Sequence, residues 1–156
     1  MVKHGAPQLA VDATGYRVAI IAGSWHTTVM NGLIDGATAT LEASGATRRL
    51  ITVAGSFEIP LAAQAALANG YDAVVCLGVI IRGDTPHFDF VADAVTSGLT
   101  RVQLDAGKPV GFGILTVDND AQALDRAGLD DSSESKGQEA AEAALQLAVT
   151  VNGLAE

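Results

Sequence analysis

GVIIRGDTPHFDFV, residues 78–91, is where this chain changes from one kind of structure to another. Leu77, Val79, Ile80 and Ile81 form a branched apolar run suited to a buried strand, whereas Phe88, Val91, Val95, Leu99 and Val102 recur at helical spacing. Between them Arg82-Gly83-Asp84-Thr85-Pro86 interrupts both patterns and leaves His87 in the first turn of the helix. A strand that hands over to a helix in this way is half of a βαβ unit.

The alternation continues on either side. Tyr16 to Ala22 reads as a strand, and Val29, Leu33, Ala37 and Leu41 mark a helix ending near Gly45. Leu50 to Val53 is a second strand, followed by a short alanine-rich helix with Pro60 in its first turn and its end around Gly70. Ala73 to Ile81 is the third strand, His87 to about Asp105 the helix after it, and Val110 to Thr116 the fourth strand. Asp120 to Ala127 reads as a short helix, residues 129–135 as a polar loop, and Lys136 to Val151 as the final helix. Strands separated by helices predict an α/β fold, a three-layer α/β/α sandwich around a four-stranded parallel sheet. The 156 residues are read as one domain, with 1–14 as an N-terminal extension. Within that extension Pro7 to Val11 is expected to form an edge segment on its own sheet or a neighbour's.

Composition excludes several function classes. Lys and Arg number 9 against 18 Asp and Glu, a net charge of -9, whereas a nucleic-acid partner requires a basic face. Charged residues make up only 17% and hydrophobic residues 49%, so part of the surface is expected to be buried against further copies of the chain. The single cysteine, Cys76, lies in an apolar run and reads as core; one thiol allows neither an internal disulfide nor a cysteine-based zinc site. No stretch is long enough to cross a bilayer and the start lacks an apolar signal region, so no membrane partner and a cytoplasmic location are expected.

Parallel α/β sheets bind ligands beyond the carboxyl ends of their strands. Four loops meet there: Gly23-Ser24-Trp25-His26, Ala54-Gly55-Ser56-Phe57-Glu58, Arg82 to His87, and Thr116-Val117-Asp118-Asn119. The only tryptophan and two of the three histidines fall on this edge. Gly83-Asp84-Thr85 leads into a helix N-terminus, where free backbone N–H groups favour an anion; an ordinary helix cap by Asp84 or Thr85 accounts for the same residues. His87 suits a general acid or base, and equally a solvated first-turn residue. Glu58 suits hydroxyl binding or a carboxylate at a helix start, while Trp25 and Phe57 can sandwich a flat ring or belong to the core. Arg126 and Lys136 are either phosphate ligands or solvated charges. The Walker phosphate loop, the Rossmann glycine fingerprint and the G-x-S-x-G nucleophile elbow are all absent.

Taken together, Gly23 to His26, Ala54 to Pro60, Leu77 to Asp89, Phe112 to Thr116, Gln122 to Gly128 and Lys136-Gly137 closely resemble the lumazine synthase family, over a span from Tyr16 to about Leu147. The resemblance implies a flavodoxin-like enzyme of riboflavin biosynthesis. It would condense 5-amino-6-(D-ribitylamino)uracil with L-3,4-dihydroxy-2-butanone 4-phosphate to 6,7-dimethyl-8-ribityllumazine, phosphate and water, with no cofactor and no metal. Carried onto matching positions, it implies His87 as the catalytic residue and Trp25 as a stacking platform for the pyrimidine. Ser56, Phe57 and Glu58 would bind the ring and ribityl chain, Val79, Ile80 and Ile81 would line the pocket, and Gly83, Thr85 and Arg126 would hold the phosphate with Lys136 nearby; Asp84 would belong to the same substrate-binding turn with its carboxylate directed away from the phosphate. Phe112, Arg126 and Lys136 would come from an adjacent subunit of a homopentamer. Shell-forming members of the family carry a short, glycine-containing connection before the last helix. The longer acidic Leu129 to Ser135, with Asp130, Asp131 and Glu134, is therefore expected to keep pentamers apart.

Two related folds offer other functions: a flavodoxin-like module that holds flavin without catalysis, with Ser24, Thr27 and Thr28 as its phosphate loop, and an archaeal-type riboflavin synthase. A purely structural shell protein of the same subunit is a third reading.

Overall fold

The computed structural model describes residues 10–155. Four strands, β1 (Arg17–Gly23), β2 (Thr47–Val53), β3 (Ala73–Ile81) and β4 (Val110–Val117), form one sheet in the order β2-β1-β3-β4. All three pairings are parallel. Five helices connect and cover them: α1 (Thr27–Ser44), α2 (Ile59–Ala68), α3 (His87–Ala106), α4 (Asp120–Asp125) and α5 (Lys136–Gly153). The architecture is the three-layer α/β/α sandwich that the alternation predicts, in the flavodoxin-like form that the resemblance implies.

Side-chain alternation explains the layers. On one face Val18, Ile20, Ala22, Val75, Leu77 and Val79 pack with Leu33, Leu41, Ala141 and Leu145 of α1 and α5. On the other, Ala19, Ile21, Val74, Cys76 and Ile80 pack with Ile59, Ala63, Val95 and Leu99 of α2 and α3. Because β1 and β3 are covered on both faces and paired on both edges, their sequences are continuous apolar runs. Burial pushes the Cys76 thiol far up from its ordinary pKa, which keeps it an uncharged core side chain.

The differences from the sequence reading lie at edges. β2 begins at Thr47, not Leu50; Thr47, Arg48 and Arg49 are exposed because, among the described residues, β2 pairs with β1 alone and stands at the edge of the sheet. α4 stops at Asp125, two residues early. Ala127 then pairs antiparallel with Ser135, so the polar segment 128–134 is the tip of a tight hairpin. Most of the expected N-terminal edge segment, residues 7–9, lies outside the described residues; Ala10 and Val11 carry no strand, while Ala13 is buried and donates its N–H to Ser44 O at 2.8 Å. No helix among the described residues is long and apolar enough to cross a membrane.

Candidate functional site

The strand ends bring their loops together by specific contacts. After β1, Ser24 Oγ donates to Val53 O at 2.6 Å and Ser24 N donates to Ala54 O at 3.3 Å, stapling the first loop to the second. This commits the Ser24 hydroxyl, one of the three that a flavin-type phosphate loop would use. His26 then takes a left-handed conformation, φ 59° and ψ 64°, before α1 begins. That backbone reversal is uncommon for a residue with a Cβ, although histidine tolerates it better than most. Trp25 closes over the second loop at Gly55, where a Cβ would come 3.2 Å from the indole Nε1. Ser56 to Glu58 form a single 3₁₀ turn that runs into α2 with Pro60 in its first turn. A second close approach lies below it: a Cβ on Gly78 of β3 would sit 2.6 Å from Ser56 Oγ.

The third loop is held by Arg82. Its Nε pairs with Asp118 Oδ1 at 3.1 Å at the end of β4, its Nη1 with Asp89 Oδ1 at 3.5 Å in α3, and its guanidinium carbon lies 4.3 Å from the Phe88 ring centroid. Arg82 thus ties the ends of two strands to the first turn of the helix. Thr85 Oγ1 accepts from His87 N at 3.4 Å, a contact within the turn; the N-cap position of α3 is Pro86 and no side chain caps the helix, so the ordinary cap by Asp84 or Thr85 is not formed.

These loops enclose a cavity of about 720 Å³. Of the residues singled out from the sequence, Trp25, Ser56, Phe57, Glu58, Val79, Ile80, Ile81, Gly83, Thr85 and His87 all line it. Its size and mixed lining suit a substrate with a flat ring and a polar tail. The wall is aromatic and open: Trp25 is 68% exposed, Phe57 65% and Phe90 72%. Exposed aromatics around a cavity mark a surface made to be covered. His26, Phe88, Phe90 and Val91 also line it and were missed. Phe90 and Val91 were legible, since they stand three and four residues after His87 and share its helix face.

Asp84, Phe112, Arg126 and Lys136 are not among the residues lining this cavity. For Asp84 the outcome is favourable, since an inward carboxylate would repel a phosphate. For Phe112 the reason is register. It pairs with Cys76, whereas Val79 pairs with Leu115, which sets Phe112 about 10 Å back along the ladder. Its ring is 46% exposed on the edge strand.

Arg126 and Lys136 are fixed on the α1/α5 side, where Ala123 and Ala127 join the core. Asn119 caps α4 by accepting from Gln122 N at 2.9 Å, and Gln122 Oε1 accepts from Asp118 N at 2.7 Å. Arg126 follows, with Nη1 donating to Gln122 O at 3.0 Å. Asp125 stabilises the hairpin beyond it by accepting from Ser133 Oγ at 2.7 Å and Ser133 N at 3.0 Å, which lowers the Asp125 pKa below its ordinary value. Glu134 departs from expectation: it is 2% exposed and ion-paired, so it presents no charge to a neighbouring particle. Of the three acidic residues in this connection, only Asp130 and Asp131 are exposed. Among the described residues no group of His, Cys, Asp and Glu could hold a metal ion.

Comparison with known proteins gives one consistent result. The sequence profile of the 6,7-dimethyl-8-ribityllumazine synthase family matches residues 15–152. The chain is 60% identical to the 6,7-dimethyl-8-ribityllumazine synthase of Leifsonia xyli subsp. xyli over 156 residues, covering 99% of each chain. It is 55% identical to the enzyme of that name from Clavibacter sepedonicus, over 99% of this chain and 98% of the relative. With the one from Nocardioides sp. it shares 56% over 99% and 97%.

Proposed function

The chain belongs to the 6,7-dimethyl-8-ribityllumazine synthase family and is a transferase of riboflavin biosynthesis, and we propose that its strand-edge cavity is one half of an active site shared between two copies of the chain. The reaction joins 5-amino-6-(D-ribitylamino)uracil to L-3,4-dihydroxy-2-butanone 4-phosphate. The observation that carries the site reading is that ten residues from three separate loops and one strand end converge on one cavity.

In this reading the pyrimidine stacks on Trp25, with Ser56, Phe57 and Glu58 binding its polar edge and ribityl chain. Val79, Ile80 and Ile81 form the apolar floor. The phosphate of the second substrate lies against Gly83 and Thr85 at the start of α3, where backbone N–H groups point outward. The uracil's primary amine attacks the ketone and an imine forms with loss of water. Proton removal from the adjacent carbon then expels phosphate and leaves an enol that becomes a carbonyl, and the ribityl-bearing nitrogen attacks that carbonyl and closes the second ring with loss of a second water. His87 lines the cavity beside the phosphate loop and moves these protons. Holding two substrates in register supplies much of the acceleration, because it replaces a bimolecular encounter.

Arg126, Lys136 and Phe112 act on a neighbour's cavity, in a cytoplasmic homopentamer. Two facts support this arrangement: they stand away from their own chain's cavity, and that cavity's rim is aromatic and exposed. The test is turnover. Purified protein mixed with both substrates should release phosphate in step with lumazine absorbance, and His87→Ala should slow it by about 10² while assembly is unchanged. An unchanged kcat for that variant from pH 6 to 8 would remove His87 from the mechanism.

A further inference from the structure

Behind the two cations stands a carboxylate that the reaction so far does not use. Glu134 is the one buried charged residue among the described residues. Its Oε1 lies 3.0 Å from Lys136 Nζ and its Oε2 3.8 Å from Arg126 Nε, while Lys136 Nζ also lies 3.1 Å from Glu139 Oε2. The backbone sets this contact. Lys136 N donates to Arg126 O at 3.0 Å, Gly128 N to Glu134 O at 2.9 Å and Glu134 N to Asp125 O at 3.1 Å, so the hairpin brings residues 126, 134 and 136 together.

Burying a carboxylate is costly, and a loop that needed only a polar filler would be served by a neutral side chain. A carboxylate between two cations does something a neutral group cannot, which is to hold both charged heads in one arrangement. Desolvation alone would lower the Lys136 pKa, but hydrogen bonding and attraction to Glu134 and Glu139 outweigh it and the net shift is upward. Lys136 is therefore a firmly charged anchor engaged by two carboxylates. Arg126 is held more loosely, at its Nε by Glu134 and at its Nη1 by Gln122 O, and Nη2 is the nitrogen these contacts leave uncommitted. Arg126 and Lys136 face the carboxylates of Glu134 and Glu139, and Asp125 also lies within electrostatic reach of Arg126, so no excess positive charge gathers here and an anion is recognised by direction.

We propose that Glu134 is a positioning residue for the phosphate half of the site: anchored by Lys136, it orients Arg126 so that a neighbouring copy's phosphate meets a preformed guanidinium. This inference rests on the reading of Arg126 as a phosphate ligand. Preordering matters because arginine carries about 2 kcal/mol of rotamer entropy that binding would otherwise have to overcome.

The experiment is two-substrate steady-state kinetics on the assembled wild-type protein, E134Q, R126A and the E134Q/R126A double variant. E134Q should raise KM for the butanone phosphate about tenfold while KM for the uracil and kcat stay within about twofold. In the R126A background the same change should leave that KM where R126A alone puts it. A loss of fold or packing would instead move both KM values, or kcat. An E134Q effect that spreads to the uracil, or that multiplies with R126A, overturns the role of Glu134. A normal KM for the phosphate substrate in R126A removes the reading beneath it, whereas a response to R126A without one to E134Q removes only the positioning role. Should E134Q fail to assemble, E134D, which keeps the charge but draws the carboxylate back from Arg126 by one methylene, should raise the same KM alone, and an unchanged KM in E134D would overturn the role of Glu134.

Discussion

Mixing two crippled variants tests most directly whether the site is shared between copies. His87 lines the cavity and Arg126 does not, so lesions at the two positions fall in different sites only if Arg126 serves a neighbour. Suppose His87→Ala and Arg126→Ala chains are unfolded together in equal amounts and reassembled at random. A site is intact when its cavity comes from an Arg126→Ala chain and its facing residue from a His87→Ala chain, which makes about a quarter of sites whole whatever the size of the ring. Loss of a positioned acid-base group lowers the rate about 10²-fold. Loss of a hydrogen bond from a charged group is worth about 1.5–3 kcal/mol, roughly ten- to a hundredfold in kcat/KM. The mean of the two parents then stays at or below about 5% of wild type, against about 25% for the mixture, a gap of roughly fivefold. Lumazine formation at subsaturating butanone phosphate reads this out, with native mass spectrometry confirming that the rings are mixed. Mixed rings that show only the parental mean would refute the shared site.

Three other outcomes follow from the packing and the charges. A Cβ on Gly137 would collide with the Leu33 carbonyl carbon and oxygen of α1, whereas one on Gly153 meets nothing within 4 Å. Gly137→Ala should therefore cost about 1–3 kcal/mol in a urea melt and Gly153→Ala close to nothing; equal stabilities would mean that α5 can shift without penalty. Gly83 also has open space around it, so Gly83→Ala should leave the melting temperature unchanged while raising KM for the phosphate substrate alone. A normal KM would mean that no phosphate approaches that backbone. Finally, the folded pKa of Lys136 is raised above its ordinary value of 10.5, so its stabilising contribution is complete below that pH and is lost as pH climbs through the folded pKa. The stability gap between wild type and Lys136→Met should thus hold steady to about pH 10 and narrow above it, as followed by urea melts.

The order of strands and helices was legible because buried parallel strands and their crossovers impose strong, different periodicities on the sequence. Val74 to Ile81 and Phe88 to Val102 carry those two periods with little interruption. The strand-end rule puts Trp25, Ser56, Glu58, Gly83 and His87 on one edge from the sequence alone, since in a parallel sheet every such loop opens the same way. Other features came only with tertiary structure. Thr47 to Arg49 read as loop because an edge strand is free to carry charge. The hairpin pairing of Ala127 with Ser135 leaves no periodic trace, and without it Glu134 looks like one more acidic residue of a solvated loop. Whether Glu134 faces water or two cations depends on hydrogen bonds between residues 125–128 and 134–136, which local sequence pattern does not encode. Register likewise decides that Phe112 stands about 10 Å behind the cavity floor, a distance that exists only once β4 has paired with β3.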